Sequence, residues 1–266
     1  MACPSRIDTP YGVLKVVKLP NVSCVTGQGF EDRAASTARL LKDATRDLPY
    51  FPPLTINVGD GFWSCNETDL TYATKQRSCQ AQVIPDFIFG GWPSTGVSGY
   101  SLLISRLHAA SRTRAARNAC GWATSLNCPL RQRAAAILAR SPDVFELHVV
   151  NCAKALMRER KRHATANGSI ARPWMPTPNY AQLTPNASNA SCLDMEEQAR
   201  RTSCLLDVQG LGFSARVPLL LHAGRTLLYV ERDVVSFVSD GAPSVGVPPI
   251  QPWVHYVPVR LLPREP

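Results

Sequence analysis

A short stretch in the last quarter of the chain carries residue types that bind a phosphate group. Gly210, Gly212, Phe213 and Ser214 lie close together, and Arg216 follows two residues later. Glycine allows backbone N–H groups to approach an anion closely, and a guanidinium offers a planar fork that matches phosphate oxygens. The spacing predicts a phosphate-binding loop whose ligand would be of the nucleotide type.

The residues around this loop have the pattern of a strand, a loop, a helix and a second strand. The apolar run at 205–208 predicts the first strand, and 226–230 predicts the second. Between them, 215–222 predicts an apolar helix that ends at Gly224. In such a unit the loop lies at the carboxyl end of the first strand, where the helix N-terminus would face a bound anion. Arg216 would lie in the first turn of that helix.

Asp60 is a second candidate for chemistry. It stands between two glycines, directly after the apolar run at 54–58, which predicts a buried strand. Ligands of open α/β sheets collect outside the carboxyl ends of the strands, where a carboxylate can serve as a general base. An aspartate between two glycines is also typical of a tight turn, so both interpretations stand at this point.

The remainder of the chain alternates predicted helices with predicted strands, which favours an α/β fold with parallel sheets. Helices are predicted at 31–48, 100–114 and 131–140, strands at 82–89 and 145–150, and a short strand or turn at 121–125. A polar stretch at 158–191, rich in proline, asparagine and serine, predicts a connector of low order. A chain of 266 residues has room for one large domain or for two lobes of about half its length.

The composition is that of a globular protein with a sizeable core, since 45% of the residues are hydrophobic and 18% are charged. The net charge of +9 has two local sources, at 106–117 and 158–163. A nucleic-acid surface is one interpretation, but no aromatic residues alternate with these basic side chains, which favours a solvated helix face and a charged linker. We therefore expect no nucleic-acid partner. The sequence contains no run of about 20 apolar residues, so it predicts no membrane-spanning helix.

Several reaction types lack their motifs. The chain has neither the G-x-x-x-x-G-K-[ST] phosphate loop nor the G-x-S-x-G nucleophile motif. It also has no Asp-x-Asp pair, and its five histidines show no metal-ligand spacing. We therefore expect no metal cofactor, so that backbone amides and arginine would neutralise a bound pyrophosphate.

The compartment is suggested by cysteines and glycosylation triplets together. Nine cysteines are an odd number, so at least one thiol is expected to stay unpaired. Five acceptor triplets for N-glycosylation begin at Asn21, Asn66, Asn167, Asn186 and Asn189. Both observations favour a secretory compartment, although the first twenty residues lack the apolar core of a signal peptide.

Two segments together resemble glycosyltransferase family 90, which includes protein O-glucosyltransferases, capsule-associated fungal xylosyltransferases and lipopolysaccharide-modifying proteins. One is 205–216, with its loop, Ser214 and Arg216, and the other is PWVHYVP at 252–258. Three earlier pieces follow the family's order, namely LTINVGD, PDFIFGGWP and CGWATSLNCPLRQR. The resemblance spans roughly 34–259, and PWVHYVP is its most specific part.

The resemblance implies a GT-B fold of two Rossmann-like lobes, with an acceptor-side lobe at 1–117 and a donor-binding lobe at 118–266. Family members continue beyond the position of Pro266, so the C-terminal lobe is expected to be incomplete here. The implied activity transfers a sugar from a nucleotide donor, such as a UDP-hexose or UDP-pentose, to a hydroxyl of a protein or glycan, with inversion. The implied location is the endoplasmic reticulum or Golgi lumen, or outside the cell.

The resemblance also assigns roles to individual residues. Asp60 would be the general base on the acceptor hydroxyl. Arg216 would neutralise the departing diphosphate. Arg131 would be a second phosphate-binding arginine, although Arg133 matches nearly as well. The donor phosphates would be held by the loop residues Gly210, Gly212, Phe213 and Ser214.

Other positions favour different interpretations. Cys120 occupies the place of a family arginine, so one positive charge is missing. If 254–259 is a strand, Trp253 and His255 share one face with Val257, and a structural role is favoured for both. The alternative function is that of an inactive family member that binds carbohydrate or a partner protein.

Overall fold

In a computed structural model the protein is an α/β molecule, and its described residues form two five-stranded sheets and one two-stranded sheet. The structure describes residues 13–18, 21–26, 31–48, 54–59, 69–74, 82–91, 99–126, 128–149, 195–210, 212–230, 232, 234–243 and 246–260. Asp60 and the predicted connector at 158–191 lie outside the described residues. Within these ranges, no helix is both long and apolar enough to cross a membrane.

The first sheet is mixed and has the strand order β2-β1-β3-β4-β6. Its strands are β1 (Val13–Lys18), β2 (Asn21–Thr26), β3 (Leu54–Asn57), β4 (Leu70–Thr71) and β6 (Gln82–Val83). β1 pairs antiparallel with β2 and β3, whereas β3, β4 and β6 run parallel. Helix α1 (Glu31–Ala44) follows β2, and a 3₁₀ turn (Phe87–Gly90) follows β6. The buried side chains of Ala34, Ile56, Val58, Tyr72 and Phe87 form the core of this half.

The second sheet is entirely parallel and has the strand order β12-β10-β9-β7-β8. Its strands are β7 (Arg117–Thr124), β8 (Phe145–Val149), β9 (Thr202–Asp207), β10 (Thr226–Val230) and β12 (Val257–Val259). The chain passes from β7 outward to β8 and then returns to the other side of β7 as β9. The direction of winding therefore reverses between β7 and β9, and such a switch point opens a crevice at the carboxyl ends of the strands.

The helices of the second half are α2 (Tyr100–Ser111), α3 (Pro129–Leu138), α4 (Met195–Arg201), α5 (Val217–Leu221) and α6 (Phe237–Asp240). α2 contributes Leu103, Leu107 and Ala110 to a buried cluster that contains Ala199 and Leu205 of the second sheet's layer. α2 therefore packs with the second sheet although it precedes residue 118. The division into 1–117 and 118–266 stays a prediction.

The two halves also contact each other directly. A two-stranded sheet pairs β11 (Val235–Ser236) with β5 (Ala73–Thr74) in antiparallel register. The Phe213 ring, which belongs to the second half, lies 5.6 Å from the Tyr72 ring and 6.5 Å from the Phe87 ring, measured between centroids. The loop predicted to hold a phosphate is therefore packed against the core of the first half.

Most predicted elements are found, some of them with other ends. The strand predicted at 226–230 is confirmed. The short strand or turn predicted at 121–125 is, as far as Thr124, the last part of the longer strand β7. The strand predicted at 82–89 is wrong beyond Val83. There Asp86 accepts a hydrogen bond from the Ile88 N–H (2.8 Å) and caps the 3₁₀ turn, which ends the extended backbone.

The strand predicted across 254–259 is also wrong in its first half. Only Val257–Val259 forms β12, because residues 253–255 turn and Trp253 has a φ of 65°. The alternation that put Trp253 and His255 on one face therefore does not apply. Trp253 is 75% exposed, and His255 receives a hydrogen bond at Nδ1 from the Gln251 N–H.

Candidate anion-binding site at the switch point

The candidate site lies where three neighbouring parallel strands end. β7 ends at Thr124 and leads through Ser125 to α3, which carries Arg131. β9 ends at Asp207 and continues into the glycine-bearing loop and Arg216. β10 ends at Val230, two residues before Arg232. The three arginines thus come from the carboxyl ends of adjacent strands, on both sides of the switch point.

Asp207 is the centre of this group. Its carboxylate is 0% exposed and receives hydrogen bonds from Arg232 Nη2 at Oδ2 (2.5 Å), and from Arg216 Nη2 (3.1 Å) and the Ser214 hydroxyl (2.9 Å) at Oδ1. Burial alone would raise the pKa of this carboxyl. The positive charges of Arg232 and Arg216 outweigh burial and lower the pKa of Asp207 to about 2. Asp207 is therefore ionised at neutral pH and fixes two arginines in place.

Arg131 reaches the same group without contacting the carboxylate. Its Nε donates to the Val208 carbonyl (3.1 Å), and its Nη1 donates to the carbonyl and the hydroxyl of Ser125 (3.4 and 3.3 Å). Burial lowers the pKa of Arg131, and the positive charge of Arg216 lowers it further. A bound anion would therefore stabilise the charged form of this buried guanidinium, which lies close to another guanidinium group.

Gly210 explains how Arg131 fits against the loop. A Cβ added at Gly210 would lie 3.0 Å from Arg131 Nη2 and 3.1 Å from its guanidinium carbon. The glycine therefore leaves the space in which the guanidinium lies. Arg133, the other candidate for this role, is exposed on α3, whereas Arg131 turns toward the loop. The structure brings Arg131, rather than Arg133, to the site.

The loop residues have different surroundings. Ser214 is bonded to Asp207, Phe213 packs its ring into the core of the first half, and Gly212 is buried. Arg216 also donates from Nη1 to the Ala123 carbonyl on β7. Five of the six residues predicted to bind the donor therefore lie on this loop or directly after it, and the sixth, Arg131, lies against the loop at Gly210.

The helix that follows the loop is shorter than predicted. α5 spans Val217–Leu221, and residues 215–216 form a turn before it, with Arg216 in the N-cap position. A five-residue helix has a small dipole, so positive potential at this site comes mainly from arginine side chains. The prediction of a helix over 215–222 was therefore too long at both ends, and Arg216 precedes the helix instead of lying in its first turn.

Charge at the site is unbalanced. Among the described residues, Arg131, Arg216 and Arg232 are grouped around the single carboxylate of Asp207, which leaves two positive charges uncompensated. A pyrophosphate diester carries two negative charges at neutral pH. The site can therefore neutralise such a group with arginine alone.

Sequence reasoning missed Asp207 and Arg232. Both follow the rule that was applied to Asp60, because each stands at or just after the carboxyl end of a strand. Asp60 itself lies outside the described residues. The last described residue before Asp60 is Gly59. Its N–H donates a hydrogen bond to the Asn57 side-chain oxygen (3.0 Å) in a tight turn after β3.

Two other features are separate from this site. Cys120 and Cys204 are register partners on β7 and β9 and are joined as a disulfide, while Cys128 is a free, buried thiol. The basic stretch at 106–117 is partly neutralised, since Arg106 contacts Glu196 (2.6 Å) and Arg117 contacts Glu146 (3.0 Å). These contacts give the two arginines a structural role.

No family model matches the chain, and no curated protein matches it.

Proposed function

We propose that the protein is a glycosyltransferase that binds a nucleotide-sugar donor at the arginine group around Asp207. The observation that carries the proposal is the meeting of Arg131, Arg216 and the Gly210–Ser214 loop at the switch point of a parallel sheet. Among the described residues two positive charges remain uncompensated, which suits a pyrophosphate, and the proposal therefore includes no metal cofactor.

The proposed reaction is an inverting transfer of the sugar from a UDP-hexose or UDP-pentose to a hydroxyl of a protein or glycan. As diphosphate departs, negative charge grows on its oxygens, and the fixed guanidinium groups of Arg131 and Arg216 stabilise that charge. The arginines are already oriented by Asp207 and by backbone carbonyls, so little reorganisation is needed when the bond breaks.

Asp60 is the proposed general base. Support comes from Val58, two residues earlier, which belongs to the buried cluster against which Phe213 packs. The end of β3 is therefore close in space to the donor loop, although the two are separated by about 150 residues. A carboxylate carried on that segment would take the proton from the acceptor hydroxyl.

The proposed architecture is of the GT-B kind, with the first sheet on the acceptor side and the second on the donor side. The parallel second sheet has the winding expected of a Rossmann-like lobe. The secretory location and the family 90 relationship belong to the same proposal.

Binding of UDP to matched variants on α3 tests the donor site. We expect Arg131→Ala to weaken UDP binding about 10- to 100-fold, because charge-assisted hydrogen bonds contribute roughly 1.5–3 kcal/mol each. Arg133→Ala, two residues away on the exposed side of the helix, serves as the control and should change the dissociation constant less than twofold. Equal effects of the two variants in calorimetric titrations would argue against the site.

Turnover separates the enzyme from the alternative. An active enzyme should hydrolyse or transfer from a UDP-sugar, and Asp60→Asn should abolish this while UDP binding persists. A chain that binds the UDP-sugar but releases no UDP, in wild-type form, would instead be a carbohydrate- or partner-binding relative.

A further inference from the structure

The buried carboxylate of Asp207 divides its two arginines between its two oxygens. Arg232 Nη2 donates to Oδ2 at 2.5 Å, whereas Arg216 Nη2 donates to Oδ1 at 3.1 Å and shares that oxygen with the Ser214 hydroxyl. The side chain of Arg232 is 4% exposed, and that of Arg216 is 23% exposed. Arg232 is therefore the closer and the more deeply buried partner of the carboxylate.

Aromatic rings also hold Arg232 in place. Its guanidinium lies over the Tyr229 ring, 4.2 Å from the centroid. The Tyr229 ring in turn contacts the Tyr256 ring, with 4.9 Å between the two centroids. A cation over an aromatic face is attracted more strongly when both groups are shielded from water. These contacts favour one fixed position for the Arg232 guanidinium.

The space beside Arg232 is too small for a phosphate group. Arg232 and Ser214 line a narrow cleft between the two halves of the chain, together with Tyr72 and Asp86 of the first half. The cleft encloses about 20 Å³, which is room for one water molecule. The Arg232 Nε is buried and has no hydrogen-bond partner among the described residues, so water in this cleft would be its acceptor.

Arg216 belongs instead to the side of Arg131. Its Nη1 donates to the Ala123 carbonyl near the end of β7, the strand that leads to α3 and Arg131. Burial lowers the pKa of Arg131, and of the other two guanidinium groups Arg216 lowers this pKa more than Arg232 does. The two uncompensated positive charges of the site therefore belong to Arg131 and Arg216.

We infer that Arg232 is the permanent counter-ion of Asp207 and so leaves the charge of Arg216 available to the donor phosphates, without contacting the donor itself. Without Arg232, the ionised Asp207 would form a neutral pair with Arg216, and Arg131 alone would supply net charge. One unit of charge has a larger effect in a buried site than in water. The inference rests on the proposed function and makes Arg232 a positioning residue that acts through Asp207.

Removal of the Arg232 charge tests the inference. Arg232→Gln keeps a hydrogen-bond donor for Asp207 but is neutral. In calorimetric titrations we expect the dissociation constant of UDP to rise about tenfold, as for the loss of one charge-assisted interaction. The loss should be smaller, about threefold, for UMP, which has one phosphate fewer. A merely structural role for Arg232 would weaken the binding of both nucleotides equally.

A second substitution should restore binding. The double variant Asp207→Asn/Arg232→Gln removes one charge of each sign, so UDP affinity should return to within about threefold of wild type. The control is Arg225→Gln at the opposite end of β10, where Arg225 donates to the Ala199 and Thr113 carbonyls. It should change UDP affinity less than about twofold.

Two further variants decide the matter should Arg232→Gln fail to fold. Arg232→Lys keeps the positive charge, and the double variant keeps the charge balance. UDP affinity close to that of wild type in both variants supports the inference. A tenfold loss in either variant overturns it, because the geometry of the Arg232 guanidinium would then matter and not its charge.

The outcomes separate the inference from the proposed function. A wild-type chain that does not bind UDP overturns both. A wild-type chain that binds UDP, with equal affinities in Arg232→Gln and Arg225→Gln, overturns the role of Arg232 alone. A loss in Arg232→Gln that the double variant does not restore also overturns this role, since Arg232 would then act on the ligand without Asp207.

Discussion

Both ends of the parallel sheet bury a carboxylate among arginines, and the two groups differ in what surrounds them. Toward the amino ends of the strands, Glu146 contacts Arg117 (3.0 Å), Arg201 (2.6 Å) and His148 (2.6 Å). At the carboxyl ends, Asp207 contacts Arg216 and Arg232. Both carboxylates form ion pairs with two arginines, so these ion pairs alone do not identify a functional site.

The difference lies in burial and in the neighbouring space. The arginines around Glu146 are half exposed, with 48% and 40% of their side-chain surface open to solvent, and they complete a surface ion-pair network. Arg232 is 4% exposed, its Nε has no hydrogen-bond partner among the described residues, and it lines a small cleft at the switch point. We therefore expect the Asp207 group, and not the Glu146 group, to bind a ligand.

The largest expected effect is on stability. Asp207→Ala leaves the buried Arg232 without its counter-ion, so we expect a loss of about 3–5 kcal/mol in the free energy of unfolding. Glu146→Ala should cost less, about 1–2 kcal/mol, because water can solvate Arg117 and Arg201. Urea unfolding of both variants measures this difference. Equal losses would show that burial does not separate the two groups.

The next effect concerns ligand binding. Arg216→Ala should weaken UDP binding at least tenfold, because it removes one of the guanidinium groups proposed to bind the pyrophosphate. Arg201→Ala, taken from the Glu146 group, should leave UDP affinity within twofold. Both are arginine-to-alanine changes beside a buried carboxylate, so titration calorimetry compares position alone. A tenfold loss in the Arg201 variant would contradict the distinction.

A third effect is a pH dependence of the free energy of unfolding. The pKa of Asp207 is about 2 in the folded state, below the value of about 3.9 for an unperturbed aspartate. The resulting stabilisation is complete above about pH 4 and is lost as the pH falls toward 2. It amounts to roughly 2–3 kcal/mol.

The stability difference between wild type and Asp207→Asn should therefore shrink by that amount between pH 5 and pH 2, as measured by urea unfolding at each pH. A difference that stays constant across this range would show that Asp207 is not held ionised by its arginines.

Local patterns predicted the second strand after the glycine-bearing loop well, and they predicted long-range contacts poorly. The apolar run that forms β10 and the glycines before Arg216 are local signals, and each is found where expected. The sequence could not decide whether Arg131 or Arg133 lies at the loop. The two residues lie on different sides of α3, and the packing of α3 on the sheet determines which side faces the loop. Asp207 was read as part of an apolar strand, since its partners are up to 25 residues away.

The strand predictions at 82–89 and 254–259 were partly wrong for local reasons that the pattern of apolar residues does not show. Asp86 caps a 3₁₀ turn inside what looks like a continuous strand, and Trp253 adopts a positive φ inside another. The boundary between 1–117 and 118–266 came from the resemblance and stays a prediction. The packing of Leu103 and Leu107 depends on residues nearly a hundred positions later.

The β11–β5 pairing gives Arg232 a mechanical connection to the first sheet. Only three residue steps separate Arg232 from Val235, whose backbone pairs with Thr74. Three residues span at most about 11 Å when fully extended. The ion pair with Asp207 and the pairing with β5 therefore act as two ends of a short tether. Any separation of the sheets that exceeds its slack must break one of them, so opening of the cleft and release of Arg232 are coupled events.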